Sequence, residues 1–281
     1  MRMRALLNKP HVLLFWLALS TVARADDPIP VFDAHLHYNE EATARYTVAQ
    51  ALEVFRKNGV KGILANSRPN DGTRALFEAK AKDVRVVPFI RPYRVRADIQ
   101  TWFKDPTIYA LIESEMKRGY YRGIGEFHLH GADAGEAQVK RIVDLAVAKD
   151  FVIHAHSDDE AIERLFAHNA KVKIIWAHAG FATAAEKLEG YFERYPALRG
   201  ELSYRSGITS GDGKLTPDWR RLLEKYSDRF LLGSDTWVTE RWDGYAYIIA
   251  GYRAWLSQLP REAAERIAFR NAERLFAEQA R

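Results

Sequence analysis

The sequence predicts an α/β protein, a single (β/α)8 TIM-type barrel, and three observations predict it. Eight short apolar runs of strand length alternate with segments whose apolar residues recur at three- and four-residue spacing. The ends of those runs recur roughly every 28 residues, the spacing of a strand, a helix and two short loops. Histidines and carboxylates gather at the C-terminal ends of the runs, where a closed parallel barrel places its active site.

In chain order the predicted strands are Val31–His37, Gly62–Asn66, Arg85–Ile90, Gly123–His128, Phe151–His156, Lys173–His178, Glu201–Tyr204 and Phe230–Asp235. Between them, Val48, Leu52 and Phe55, and again Ile162, Leu165 and Phe166, carry the helical period. Asn58-Gly59 has the form of a helix stop, and Ser157-Asp158-Asp159-Glu160 that of a capping box. The mixed stretch 91–105 is expected to lie over the barrel mouth. An open doubly wound sheet is the competing topology. Its nucleotide-binding members carry a glycine-rich phosphate loop after the first strand, and none is present here.

Residues 1–25 have the pattern of a secretory signal peptide. Arg2, Arg4 and Lys9 form a basic head, Val12 to Leu19 an apolar run, and Ala23-Arg24-Ala25 a small-x-small cleavage site. The run is short of the ~20 apolar residues that span a bilayer, so no stable membrane anchor is expected after cleavage. The expected product is a barrel domain over 26–281, exported to the periplasm or secreted. The net charge of +5 then shrinks. Removing four basic residues leaves 38 Lys and Arg against 37 Asp and Glu, a net of +1. That balance argues against a nucleic-acid partner and leaves a small-molecule substrate as the expectation. With no cysteine, disulfides and thiolate metal sites are excluded, and His, Asp and Glu remain as candidate ligands.

Strand one ends Asp33-Ala34-His35-Leu36-His37. Strict alternation would put Asp33, His35 and His37 on one face. Two imidazoles two residues apart on a strand can bind one metal ion together. Later runs end on Glu126 and His128, on His154 and His156, on His178, and on Asp235. Seven of the nine histidines fall at or just beyond predicted strand ends; only His11 and His168 lie elsewhere. Buried charges and imidazoles concentrated in this way are best accounted for by a cation.

The ordered series H-x-H, Glu, His, His, Asp on strands one, four, five, six and eight resembles the amidohydrolase superfamily. The closing segment Phe269-Arg270-Asn271-Ala272-Glu273-Arg274-Leu275-Phe276 resembles the last helix of its amidohydrolase-related and TatD-like branches. The resemblance covers essentially the whole chain after residue 25. It implies a metal-dependent hydrolase holding one or two divalent ions such as Zn2+. It implies His35, His37 and Asp235 as ligands of one ion, His154 completing that site or helping a second, and Glu126 bridging the two. Strand four offers Glu126 in place of the lysine, often carboxylated, of other branches. Strand five offers both His154 and His156, and Val152-Ile153-His154 matches the apolar run that leads into the family's ligand. Asp33 is expected to orient a ligand histidine.

A divalent ion lowers the pKa of a water it binds to roughly 7. Asp235 is then the expected proton acceptor, with Gly233 and Ser234 leaving room for the water. His178 would orient or polarise the reacting oxygen, or ligate a second metal. Arg68, Arg91, Arg94 and Arg205 follow strands two, three and seven and suit a carboxylate or phosphate; loop salt bridges are the plainer reading of each. His128, His130 and His156 serve equally as substrate contacts or as polar residues of the mouth. Trp102, Trp237 and Trp242 either wall a pocket or pack under loops. Hydrolysis of an amide, ester or lactone leads. Metal-assisted decarboxylation or hydration, a TatD-like phosphodiesterase or nuclease, and a metal-binding barrel without turnover are the alternatives.

Overall fold

Eight parallel strands pair in chain order, as a (β/α)8 barrel requires: β1 Val31–Leu36, β2 Val60–Ala65, β3 Arg85–Ile90, β4 Gly123–Leu129, β5 Val152–Ser157, β6 Lys173–Trp176, β7 Leu198–Glu201 and β8 Phe230–Leu231. The bridge Asp33–Leu232, with Ala34 N donating to Leu232 O at 2.7 Å, draws the last strand back to the first. The structure, a computed structural model, describes residues 28–277. The predicted signal segment, residues 1–25, lies outside the described residues.

Helices alternate with the strands: α1 Val48–Lys57, α2 Asp71–Glu78, α3 Pro106–Met116, α4 Ala137–Ala148, α5 Asp159–His168, α6 Ala185–Arg194, α7 Pro217–Lys225 and α8 Tyr245–Leu256. Their apolar stripes lie against the outside of the sheet; Leu52 and Phe55 of α1, and Ile162, Leu165 and Phe166 of α5, are buried there. Helix α1 ends at Asn58, followed by Gly59 at φ +67°. Helix α5 is capped by Asp158, which accepts from Ala161 N at 2.9 Å. The predicted box from Ser157 to Glu160 does not form. Ser157 finishes β5, and Glu160 pairs instead with Arg164.

A second cluster fills the barrel itself. Phe32, Leu64, Val87, Phe89, Val152, Ile175 and Leu231 meet Ala272 and Phe276 of the closing helix Asn271–Ala277. The Phe276 ring lies 5.7 Å from Phe32 and 5.8 Å from Phe89, so the chain's end packs against one end of the barrel core. Gly62 leaves space for the Phe32 ring and Gly123 for Phe89. Asn271 Nδ2 donates to Ser227 O and Phe230 O at 2.7 and 2.9 Å, which ties the closing helix to the start of β8.

Three predicted strands end two to four residues earlier than their apolar runs suggest. β7 stops at Glu201, where the predicted strand began. Arg199 and Gly200 dilute the real strand, while Leu202 and Tyr204 mimic alternation beyond it. β6 stops at Trp176, and residues 177–180 turn with His178 at φ 57° and Ala179 at φ 44°. The β8 ladder covers two residues, and Asp235 stands beyond it at φ 47°. His178 and Asp235 therefore sit on strained turns past the strand ends, a placement typical of functional residues.

Candidate active site

His35 and His37 leave β1 with their Nε2 atoms 3.1 Å apart. Asp235 Oδ1 is 3.4 Å from the first and 3.1 Å from the second; Glu126 Oε2 is 3.5 and 3.2 Å away. All four side chains are buried, and their donor atoms lie within 4.8 Å of one another. Two strand-end ties hold the group together: Asp235 N donates to His35 O at 2.6 Å, and His37 N donates to Thr236 Oγ1 at 3.0 Å.

The partners on the far side of each ring fix how it faces the centre. His35 Nδ1 donates to Glu201 Oε2 at 2.8 Å. His37 Nδ1 lies 2.6 Å from Asn66 O, which can only accept, and 2.7 Å from Arg91 Nη1, which can only donate, so these contacts aim its Nε2 inward without fixing its tautomer. His178 Nδ1 lies 2.9 Å from Ser203 O. The rings of His35 and His178 thus keep a proton on Nδ1, and all three rings aim Nε2 inward. Among the described residues His178 Nε2 has no hydrogen-bond partner; it stands 3.8 Å from Glu126 Oε1 and 4.0 Å from Asp235 Oδ2. Fully buried His154, its ring 4.4 Å from that of His35, has no partner at either nitrogen among the described residues. Inward lone pairs and orphaned buried nitrogens beside two carboxylates fit a divalent cation with N/O ligands.

The charges agree. Burial opposes protonating His35, but Asp235, Glu126 and Glu201 outweigh it and raise its pKa well above the ordinary value, so the carboxylates call for positive charge here and a proton competes with a metal ion for its Nε2. Burial likewise resists ionising Glu126 and Asp235, yet the adjacent His35 holds both as carboxylates well below the usual range. Burial pushes His154 and His178 down, so both are neutral and able to ligate. Burial takes His128 down to about 3.

Around this centre the predicted residues sort plainly. His156 and His154 both reach the site: His156 Nδ1 meets Glu126 Oε1 at 3.0 Å, and its ring stacks on His128 at 4.0 Å. Arg91 is buried and pairs with Glu126 at 2.9 Å. Arg68 faces the cavity but is held by Glu40 and Glu41 at 3.4 and 2.8 Å. Arg205 is not a cavity residue; it donates to Thr183 O and lies over Trp219. Arg94 pins its own loop to Asp98 and Asp105. His130 faces Asp158, 3.9 Å away, outside the cavity. Of the tryptophans, Trp237 lines the cavity. Trp102 and Trp242 pack beneath, donating to His128 O and His37 O at 2.7 and 3.1 Å.

Two expectations are corrected. Asp33 orients no ring. Pairing to β2 is irregular between Asp33 and Leu36, which breaks strict alternation, and the Asp33 carboxylate takes hydrogen bonds from Ser234 N, Ser234 Oγ and Tyr245 OH at 2.8, 2.6 and 2.7 Å. Gly233 does not make room for water; a Cβ there would collide with Glu201 and His35. Glu201 is the residue the sequence reading missed. It is fully buried and binds His35 Nδ1, Ser203 Oγ at 2.8 Å and His178 N at 3.3 Å. Its signal was a carboxylate at a strand's C-terminal end, hidden by placing β7 too late.

A cavity of about 400 Å³ opens over the centre. Glu126, His156, His178 and Asp235 form part of its wall; Arg96, Ile99, Phe181, Tyr204 and Trp237 form more of it.

A parallel barrel with buried imidazoles and carboxylates gathered at its strand ends defines a barrel whose mouth could hold a metal ion. The chain matches the amidohydrolase family over residues 10–277 and belongs to that family. Solved structures share the fold. A TIM-barrel protein from Bordetella bronchiseptica superposes with a TM-score of 0.65 at 13% identity, over 90% of this chain and 100% of that one. A zinc-bound amidohydrolase from Burkholderia multivorans does so with a TM-score of 0.55 at 17% identity, over 88% and 99%. A putative 2-pyrone-4,6-dicarboxylic acid hydrolase from Pseudomonas putida gives 0.59 at 15% identity, over 89% and 98%. Among curated proteins no relative matches.

Proposed function

We propose that this chain is a metal-dependent hydrolase that cleaves an amide, ester or lactone bond in a small molecule. One observation carries the reading. Asp235 keeps Oδ1 among the inward nitrogens of His35 and His37 while Oδ2 faces the bare Nε2 of His178, and the residue lines the cavity. A carboxylate so divided can stay in the ligand set and still accept a proton.

His35, His37 and Asp235 would hold a divalent ion, with His154, His178 and Glu126 within the same buried cluster. When bound, such an ion supplies Lewis acidity and a water of lowered pKa. The chain's own residues do the rest. Asp235 takes the proton of the attacking water and returns it to the leaving nitrogen or oxygen as the acyl bond breaks. His178, with its proton given to Ser203 O, accepts a hydrogen bond and orients the water; it cannot polarise a carbonyl from Nε2 in this tautomer. Arg91 neutralises part of the carboxylate charge through Glu126. The zinc bound by the Burkholderia protein and the putative hydrolase activity of the Pseudomonas one support zinc and hydrolysis here.

The test is a screen of the purified chain, as isolated and after chelation, against lactones, esters, amides, phosphoesters and aromatic carboxylates. The reading expects chelator-sensitive release of an acid from one of the first three. Release of carbon dioxide alone would replace hydrolysis with decarboxylation, and turnover confined to phosphoesters would replace it with phosphoester cleavage.

A further inference from the structure

One wall of the cavity is built differently from its floor. Phe181, Tyr204 and Trp237 all line it and are exposed, at 40, 45 and 40%. Large apolar side chains left open in a concave site mark a binding surface. Phe181 and Tyr204 are held at φ 54° and 50°, a backbone cost met where geometry is over-determined. The Phe181 ring lies 4.1 Å from His178 and 4.9 Å from His156, so the wall adjoins the reacting centre. Trp237 Nε1 donates to Tyr204 OH at 2.9 Å, which locks the two rings together.

Cations flank this wall. The Arg96 guanidinium stacks over Trp237 at 5.5 Å, and that of Arg241 over Tyr204 at 3.9 Å. The cavity arginines differ in one respect. Arg68 is paired with Glu40 and Glu41, and Arg91 with Glu126. Arg96 makes no ion pair among the described residues; Glu41, which feels its charge, is bonded to Arg68. Arg241 is occupied by Ser234 O and does not line the cavity. One uncompensated guanidinium therefore faces the cavity beside an aromatic wall.

Building on the reading of this cavity as the catalytic one, we propose that its substrate is a planar, one-ring molecule bearing a single carboxylate, the ring laid against Phe181, Tyr204 and Trp237 and the carboxylate received by Arg96. One spare positive charge matches one carboxylate better than a doubly charged phosphate. Guanidinium binds carboxylate through two parallel N–H donors. A volume of about 400 Å³ is near the small end of ligand sites, which run ~300–1,000 Å³. Aromatic rings prefer a flat partner that can stack.

The test measures binding, not turnover, by calorimetry with three probes: benzoate, its neutral analogue benzamide, and the non-planar cyclohexanecarboxylate. The full chain is used, both metal-loaded and chelator-treated, so that carboxylate binding at the metal centre is separated from binding at Arg96. Wild type is expected to bind benzoate about tenfold more tightly than benzamide, the weight of one charge-assisted hydrogen bond. Arg96→Met, an exposed position that does not endanger folding, abolishes that preference in both preparations and leaves benzamide unchanged. Trp237→Leu weakens both aromatic probes and removes the preference for benzoate over cyclohexanecarboxylate. A benzoate preference retained in Arg96→Met, equal binding of the planar and saturated acids by wild type, or no benzoate binding at any soluble concentration overturns the proposal. None of those results touches hydrolysis, which instead falls if Asp235→Asn turns over normally.

Discussion

At the scale of single residues, the centre depends on which nitrogen of each imidazole carries the proton, and Glu201 decides this for His35. Its carboxylate takes the Nδ1 proton at 2.8 Å and is itself fixed by Ser203 and by the backbone of His178. Glu201→Gln keeps the shape and removes the charge. Metal affinity, read by competition with a chromophoric chelator, is expected to fall about 10- to 100-fold, the usual weight of such a partner. Unchanged affinity would leave Glu201 a packing residue. His128 supplies a pH prediction. Burial lowers its pKa from 6.5 in the open chain to about 3 in the fold. The unfolded chain therefore binds the extra proton, and this group's share of stability is lost as pH falls through that interval. Unfolding midpoints of metal-free wild type and His128→Gln should diverge below about pH 6.5, with wild type losing more. Parallel curves would contradict the assignment.

At the scale of elements, the site was legible wherever a polar residue ends a strand on an apolar run. His35, His37, Glu126, His154 and Asp235 were found that way. The β1 irregularity was not legible, because alternation assumes a regular ladder; Asp33 consequently faces Ser234 and Tyr245 rather than a ligand ring. Glu201 was hidden because four residues with Arg and Gly in the middle make a faint strand, next to a more regular-looking false one. The ring orientations were out of reach, since Asn66 O and Ser203 O arrive from other strands' loops and carry no side-chain signature. The same holds for Arg205, whose place near the mouth in sequence became a bond to Thr183 O in space. Element packing also makes a prediction. Phe276 lies against Phe32 and Phe89 at one end of the barrel core, with no direct part in the chemistry. Phe276→Ala should cost about 3–5 kcal/mol in chemical denaturation. A loss below 1 kcal/mol, on the order of a surface change, would show that the closing helix is dispensable to the core.

At the scale of the whole molecule, one architecture divides the work. The interior cluster around Phe32, Phe89 and Phe276 and the helices outside hold the barrel, and the strand ends carry the chemistry. Among the described residues, five of the seven non-glycine residues at positive φ lie at the ends of β6, β7 and β8: His178, Ala179, Phe181, Tyr204 and Asp235. Strain is thus concentrated where the cavity is made, and Asp235 stands where strained turn, ligand cluster and open space coincide. The most direct test compares metal stoichiometry with turnover in Asp235→Asn, on whichever substrate the screen identifies. The amide keeps one oxygen for ligation and loses the ability to accept a proton. The account predicts near-normal metal content with turnover lowered by at least about 100-fold, the lower end of general acid–base contributions. Full turnover at normal metal content would contradict it.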